Sequence, residues 1–160
     1  MTDETYSEFT TAIDDRFLDD YPQGARYRFG VESVDADEIV EFARRYDPQS
    51  IHTDPDAAAQ GPFGGLIASG WQTGALMMRL FADNYLTSVA SLASPGLDEL
   101  RWVRPLRPGD RLWLICETIS VRHSTSKPDR GVLTTRATLV NQDDEPVLTA
   151  TALNMVARRP

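Results

Sequence analysis

Two side chains that can exchange protons, Asp47 and His52, lie five residues apart, and a proline follows the acid. His52 is one of only two histidines in the chain, and four of its ten glycines come soon after, between positions 61 and 70. A carboxylate beside an imidazole can move protons by general acid–base catalysis. A backbone N–H at the start of a helix can stabilise an oxyanion. This stretch is therefore the first candidate for a catalytic site.

A purely structural interpretation stands beside the catalytic one. Aspartate before proline is also a common turn sequence, and His52 would then be a structural histidine with its ring satisfied inside the fold. The other histidine, His123, lies in a polar strand end and is predicted to be solvated. No Gly-x-Ser-x-Gly sequence surrounds Ser69, so a serine nucleophile is not indicated.

The overall composition is that of a globular chain with a substantial core. The chain has 160 residues, of which 41% are hydrophobic and 25% charged, and this predicts one domain preceded by an N-terminal arm over residues 1–25. The single Cys116 cannot form an internal disulfide. There is no basic leader and no apolar run as long as a membrane span. We therefore expect a cytoplasmic protein without a membrane partner.

The charge is unevenly distributed along the chain. The net charge is −8, which argues against general binding to nucleic acid. Residues 1–97 carry 6 basic and 16 acidic side chains, a net charge of −10. Residues 98–160 carry 10 basic and 8 acidic side chains, a net charge of +2. An anion-binding site is therefore expected in the C-terminal part.

The first half of the chain predicts helices around one strand. Residues 9–17 have loosely helical apolar spacing and predict a short helix or an arm, and the alternation over 26–31 predicts a strand. Residues 35–46 predict a helix, with Asp35 as its N-cap and Glu38 at the capping-box position. This helix would end directly before the Asp47–Pro48 pair, because proline disfavours helical backbone at the residue before it.

The segment after the glycines is apolar on nearly every side. It spans about residues 67–81 and predicts a buried central helix, with Trp71, Met77 and Met78 in the core. Before it, Asp54 and Pro55 predict the cap and first residue of a short helix.

The rest of the chain changes to the two-residue period of β-strands. Strands are predicted over 100–106, 112–121, 132–141 and 147–156, with turn sequences between them. One strand, a buried helix and four further strands predict an α+β domain in which an antiparallel sheet curls around a central helix.

Three motifs in this order resemble the MaoC-like branch of the hot-dog fold, which includes (R)-specific enoyl-CoA hydratases. The family motif Asp-x-Asn-Pro-x-His is matched by residues 47–52, where Gln49 and Ser50 replace the usual Asn and Pro. The glycine element leading into the central helix is matched by residues 63–70. The family's Pro-x-x-Pro-Gly-Asp element is matched by residues 105–110.

The resemblance implies a single MaoC-like domain over residues 26–160 and a hydratase or dehydratase of acyl thioesters, as in fatty acid metabolism. It implies that Asp47 and His52 flank a water that adds across the double bond of a trans-2-enoyl thioester. Gly70 would donate its N–H to the thioester oxygen. No metal and no cofactor is implied, and coenzyme A enters as part of the substrate. A homodimer, or a higher homo-oligomer, with the site at its interface is also implied.

The candidates for substrate binding are two pocket residues and four basic residues. Phe63 begins the glycine element and Ser69 precedes Gly70, so both are expected to line the pocket. Basic side chains near the turns of the C-terminal part could hold the phosphates of coenzyme A, and equally could be solvated strand-end charges. These are Arg104, Arg107, Lys127 and Arg130.

Two other functions fit a hot-dog domain. One is a non-catalytic module that binds an acyl group or a partner chain, and the other is a thioesterase. The Asp47–His52 pair favours the hydratase, because a binding module has no need of it and a hot-dog thioesterase usually relies on a differently placed carboxylate.

Overall fold

The computed structural model describes residues 5–160 and shows one antiparallel sheet curled around one long helix. The strands are β1 (Arg26–Ser33), β2 (Ser91–Trp102), β3 (Arg111–His123), β4 (Arg130–Val140) and β5 (Pro146–Ala157). The helices are α1 (Ala36–Tyr46), α2 (Ser50–Thr53), α3 (Pro55–Gln60) and α4 (Gly70–Asn84). The strand order β1-β3-β4-β5-β2 leaves β1 and β2 at the two edges. The α+β prediction is confirmed.

The core lies between α4 and the inner face of the sheet. Alternate residues are buried over 112–118 of β3 and along β4 and β5, because alternate side chains of a strand point to the same face. Leu114, Leu133 and Leu148 are fully buried on this face, and Phe81 of α4 is 3% exposed. Cys116 lies there too, as a buried free thiol. No helix within residues 5–160 is long and apolar enough to cross a membrane.

Local sequence signals place the short helices before α4. Asp35 accepts a hydrogen bond from the Glu38 N–H, and the Glu38 side chain accepts one from the Asp35 N–H. This capping box confirms the predicted start of α1. Asp54 caps α3 as predicted, through the N–H groups of residues 56 and 57. Between them, the single turn of α2 was not predicted.

The prediction that α4 is buried on all sides is wrong on one face. Met77 is 6% exposed, but Trp71 is 61% exposed and Met78 is 46% exposed. Ala75 and Ala82 are exposed on the same face. The sheet covers only part of the helix, so an apolar stripe remains uncovered in the single chain.

The second strand begins nine residues earlier than predicted, at Ser91 instead of residue 100, and it ends at Trp102. Pro95 and Gly96 lie within this strand. Because both residues are typical of turns, the strand was predicted to begin only after them. An edge strand tolerates them because one side of its backbone has no ladder to maintain. The pairing of β2 with β5 has three register shifts, one of them immediately before Gly96.

The N-terminal segment, predicted as a short helix or an arm, packs against the domain and forms no helix over 9–17. Its one helical turn is a 3₁₀ turn at Leu18–Asp20. Phe9 stacks on Tyr27, and Arg16 lies over the Phe9 ring while donating hydrogen bonds to the carbonyls of Asn84 and Tyr85. Arg16 thereby satisfies carbonyls at the end of α4. The domain boundary at residue 25 stays a prediction.

Candidate active site

Asp47 is held at the point where α1 ends. Its backbone N–H donates to the Ala43 carbonyl, so it is the C-cap residue of the helix. Pro48 follows and turns the chain away, because helical backbone is disfavoured before proline. The carboxylate, with 18% of the side chain exposed, reaches an open cavity. The sequence thus fixes the position of this acid by local rules.

His52 is buried and its ring orientation is fixed. It lies in α2 and is 5% exposed. Its Nδ1 is 2.7 Å from the Ile67 carbonyl oxygen. Since a carbonyl oxygen only accepts, Nδ1 carries the proton in this contact. In the neutral ring Nε2 is therefore the free acceptor, and it lies 3.4 Å from Asp47 Oδ2. A proton acceptor thus faces the carboxylate.

Two neutral donors hold the Asp47 carboxylate. Gln49 Nε2 donates to Oδ1 at 2.6 Å, and Ser69 Oγ donates to Oδ2 at 2.7 Å. These hydrogen bonds, first that from Gln49 and then that from Ser69, lower the pKa of Asp47 below its ordinary value, and His52 adds a smaller effect in the same direction. Gln49, which replaces the Asn of the family motif, therefore keeps the acid ionised and oriented.

The first turn of α4 brings a backbone N–H to the same cavity. Ser69 is fully buried and caps the helix by accepting from the Trp71 N–H at 3.3 Å. Gly70 is the first helical residue and lines the cavity. None of the hydrogen bonds formed among residues 5–160 uses the Gly70 N–H. An unused N–H at a helix N-terminus can stabilise negative charge on a bound oxygen.

The cavity that contains these groups has a volume of about 400 Å³. Its polar lining is Asp47, Gln49, His52, Thr73 and Arg104, and the rest is Phe63, Ile67, Ala68, Gly70, Trp71, Trp102, Val103, Pro105 and Leu106. A mostly apolar cavity with a few converging polar groups is typical of a small-molecule site. A larger groove of about 680 Å³ lies along α1, but its lining contains no histidine. We therefore take the smaller cavity as the site.

Four of the six predicted substrate-binding residues lie in or beside this cavity. Phe63 and Arg104 line it, and Arg104 also forms an ion pair with Glu145 at 3.2 Å. Arg107 donates from its guanidinium to the Phe63 carbonyl at 2.7 Å and so holds the glycine loop. Ser69 lies behind the wall, where its hydroxyl contacts the Asp47 carboxylate.

Lys127 and Arg130 lie elsewhere in the chain. They line a separate cavity of about 300 Å³ at the β3–β4 hairpin. Arg130 pairs with Ala157 of β5, whereas Trp102, at the wall of the site, pairs with Leu148. At about 3.3 Å per residue, these ends of β5 are roughly 30 Å apart. Arg130 also forms a two-bond contact with its neighbour Asp129. Within one chain, these two basic residues do not reach the site.

Two residues that form hydrogen bonds to Asp47 and Gly70 were not predicted to belong to the site. Gln49 stands between the acid and the histidine of the motif, and that position alone could have marked it as a partner of Asp47. Trp102 donates from its indole Nε1 to the Gly70 carbonyl at 2.7 Å. No local signal identifies this second contact, because it joins residues 32 positions apart.

Comparison with protein families adds an independent finding. A family model described as the MaoC like domain matches residues 20–141. The chain is 29% identical over 130 residues to the protein YdeM of Bacillus subtilis. These aligned residues cover 81% of this chain and 91% of YdeM. It is 43% identical over 67 residues to 3-hydroxyacyl-thioester dehydratase Z of Mycobacterium tuberculosis, which covers 41% of this chain and 44% of that dehydratase.

Solved structures show the same fold. The crystal structure of the MaoC-like dehydratase from Rhodospirillum rubrum has a TM-score of 0.84 and 39% sequence identity, and covers 91% of this chain and 99% of its own. The R-hydratase PhaJ1 from Pseudomonas aeruginosa has a TM-score of 0.68 at 24% identity, and covers 89% of this chain and 86% of its own. The hot-dog prediction is confirmed.

Proposed function

Because the chain belongs to the MaoC like domain family, we propose that it is a hydratase or dehydratase of acyl thioesters. Its substrate pair would be a 2-enoyl thioester and the corresponding 3-hydroxyacyl thioester, carried on coenzyme A. The observation that carries the proposal is the convergence of an ionised acid, the free nitrogen of an oriented imidazole and an unused helix N–H on one cavity.

In the proposed reaction a water binds on the cavity side of Asp47 Oδ2 and His52 Nε2 and contacts both atoms. The separation of these atoms, 3.4 Å, allows one water to contact both. His52 Nε2 accepts a proton as the water oxygen forms its bond to the β-carbon of the enoyl group. The resulting imidazolium lies beside the Asp47 carboxylate, which stabilises its charge. The proton is then delivered to the α-carbon, so the pair ends in its starting state.

The electron pair displaced from the double bond moves to the thioester oxygen, and the Gly70 N–H stabilises the charge that develops there. The hydrogen bond from this N–H is strongest in the transition state, because the negative charge on the thioester oxygen is greatest there. Addition of water transfers no net electrons, so the proposed reaction requires no redox cofactor.

Arg104 and Arg107 are the proposed contacts for the phosphates of coenzyme A. Both lie at the cavity side of the chain, and the guanidinium fork can donate two bonds to one phosphate. The net charge of −8 repels a polyanion at long range, so a local basic patch is needed.

Hydration of crotonyl-CoA and longer 2-enoyl-CoA esters tests the proposal. The loss of absorbance of the conjugated double bond gives the rate. We expect the wild-type protein to hydrate at least one ester, and the Asp47→Asn and His52→Ala variants each to lose about 10²–10⁴-fold in kcat. The double variant should be little slower than either single one, because the pair acts as a unit.

The Arg122→Ala variant is the matched control, because Arg122 is an exposed residue at the far end of β3. Its kcat should equal that of the wild type. A folded wild-type protein that binds enoyl-CoA esters without hydrating them would favour the acyl-binding module. Release of free thiol without loss of the double bond would favour the thioesterase. Either result contradicts the proposal.

We also propose that the protein is a homodimer. The uncovered stripe of α4 begins at Trp71, whose ring contacts Trp102 at the end of the edge strand β2. Farther along β2, Leu92 and Leu97 are 45% and 46% exposed. Unpaired strand edges favour pairing with another chain, and an apolar face favours burial. Light scattering should give twice the chain mass at micromolar concentration, and Met78→Glu should shift it toward the monomer. A wild-type monomer would contradict this assembly.

A further inference from the structure

The indole of Trp102 connects the edge of the sheet to the first residue of α4. Trp102 is the last residue of β2, and its ring lines the candidate site with 47% of the residue exposed. Its Nε1 donates to the Gly70 carbonyl at 2.7 Å. The residue whose N–H is available to the cavity is therefore held through its carbonyl group by a side chain from the sheet.

The ring also occupies the space where a side chain at position 70 would be. A Cβ placed on Gly70 would lie 2.6 Å from Trp102 Nε1 and 2.8 Å from Cδ2. Both distances are shorter than normal contacts of carbon with nitrogen or carbon. Glycine at this position is thus required by close approach to the indole, and the two residues form one packed unit.

Two contacts hold the ring in place. The Trp102 backbone pairs with Leu148 of β5, a fully buried residue. The indole also makes an edge-to-face contact with Trp71, with ring centroids 5.3 Å apart. On the opposite side, the same turn of α4 is held by the Ser69–Asp47 hydrogen bond. The first turn of the helix is therefore fixed between the sheet edge and the catalytic acid.

We propose that Trp102 is the positioning residue of the oxyanion-binding N–H, fixing Gly70 so that this N–H meets the thioester oxygen of the transition state. This inference rests on the proposed hydratase function. Trp102 acts through Gly70 and takes no part in proton transfer. Helix ends fray when their groups lack partners, and a displacement of about 1 Å at a reacting centre can cost about 10²-fold in rate.

The Trp102→Phe variant keeps a ring in the wall but loses the N–H donor. We expect kcat for crotonyl-CoA to fall by about 10- to 100-fold, with a much smaller change in KM, because the oxyanion contact is strongest in the transition state. Trp113→Phe is the matched control. The Trp113 ring packs over Gly30 in a similar way, with Cγ 2.8 Å from a Cβ placed there, and β4 and β5 separate its strand from β2. This control should keep the wild-type kcat.

A spectroscopic measurement separates positioning from general loss of structure. Crotonyl-CoA bound to the inactive Asp47→Asn protein should show a lowered frequency of its thioester C=O stretch in Raman difference spectra, because a hydrogen bond to the oxygen polarises the carbonyl. Adding Trp102→Phe should reverse most of that shift, and adding Trp113→Phe should not. An unchanged shift together with unchanged kcat in Trp102→Phe would overturn the inference while leaving the hydratase function intact.

A double-mutant cycle on thermal unfolding tests the packed unit without any substrate. Gly70→Ala should lower Tm markedly in the wild-type background, because its Cβ meets the indole, and much less in the Trp102→Ala background. Equal losses in both backgrounds would overturn the inference. If the wild-type protein does not hydrate enoyl-CoA esters, the proposed function fails and the positioning role of Trp102 fails with it. The unfolding cycle tests the Trp102–Gly70 coupling independently of that result.

Discussion

The Ser69→Ala variant removes one oxygen atom that joins the candidate acid to the central helix. Ser69 is fully buried, donates to Asp47 Oδ2 at 2.7 Å and accepts from the Trp71 N–H at 3.3 Å. Alanine keeps the Cβ, so the packing changes little. The substitution therefore removes a helix cap and a hydrogen bond to a carboxylate, and we expect it to impair both stability and activity.

The expected loss of stability is the sum of two contributions. An N-cap contributes about 1 kcal/mol, and a hydrogen bond to a charged group contributes about 1.5–3 kcal/mol. Because the Asp47 side chain keeps 18% of its surface exposed, water recovers part of the second contribution. We expect the free energy of unfolding to fall by about 2–3 kcal/mol, which lowers Tm by about 4–12 °C in a chain of this size.

The loss of stability in Ser69→Ala should be larger at neutral pH than in acid. The hydrogen bonds from Gln49 and then Ser69 lower the pKa of Asp47 in the folded protein. A group whose pKa is lowered by folding stabilises the folded state above its unfolded pKa, and this stabilisation disappears as the pH falls through the folded value. The difference between wild type and Ser69→Ala should therefore be largest at neutral pH and smaller in acid, where only the cap contribution remains.

Thermal unfolding followed by circular dichroism, together with hydration kinetics, measures both effects. Asp54→Ala is the matched control, because Asp54 caps α3 through two N–H groups at 3.0 Å and is exposed. It should cost about 1 kcal/mol and leave kcat unchanged. If Ser69→Ala is no less stable than Asp54→Ala at neutral pH, or keeps the wild-type kcat, the link between Ser69 and Asp47 contributes nothing and the reasoning is refuted.

Three further predictions concern other groups. Gln49→Ala should raise the pKa of Asp47 and move the acid limb of the kcat/KM profile to higher pH. An unchanged acid limb would show that the Gln49–Asp47 hydrogen bond does not lower the pKa of Asp47. Arg104→Ala should raise KM for crotonyl-CoA and leave kcat unchanged, and the increase in KM should be smaller at high salt. Arg130→Ala should leave KM unchanged. Equal effects of the two substitutions on KM would place the phosphates elsewhere. Burial raises the pKa of the Cys116 thiol, so it should react with a thiol reagent only after unfolding in denaturant, and rapid reaction of the native protein would contradict its burial.

The elements that the sequence determined are those whose causes are local. The capping box of Asp35 and Glu38 starts α1, and the Asp47–Pro48 pair ends it, within a few residues of chain. The alternation in β3, β4 and β5 predicted three strands, because one buried face imposes a period of two. The spacing of Asp47 and His52 was also local, since the end of α1 and the next turn, α2, carry them five residues apart.

Other features depend on contacts between distant parts of the chain, and only the tertiary structure decided them. The extent of β2 depends on its place at the edge, where Pro95 and Gly96 cost little. The exposure of Trp71 depends on how far the sheet curls around α4, which no local pattern records.

The site itself divides in the same way. The sequence supplied the types of the reacting groups and the spacing between them, because a motif of six residues contains both. It did not separate Arg104 from Arg130, which carry the same charge but lie at opposite ends of the sheet. The sequence did not predict the hydrogen bond from Trp102 to Gly70, because that bond forms only when the edge strand lies beside the helix. Local chemistry is encoded by neighbours in the chain, whereas positioning is set by the long-range pairing that brings distant residues into contact.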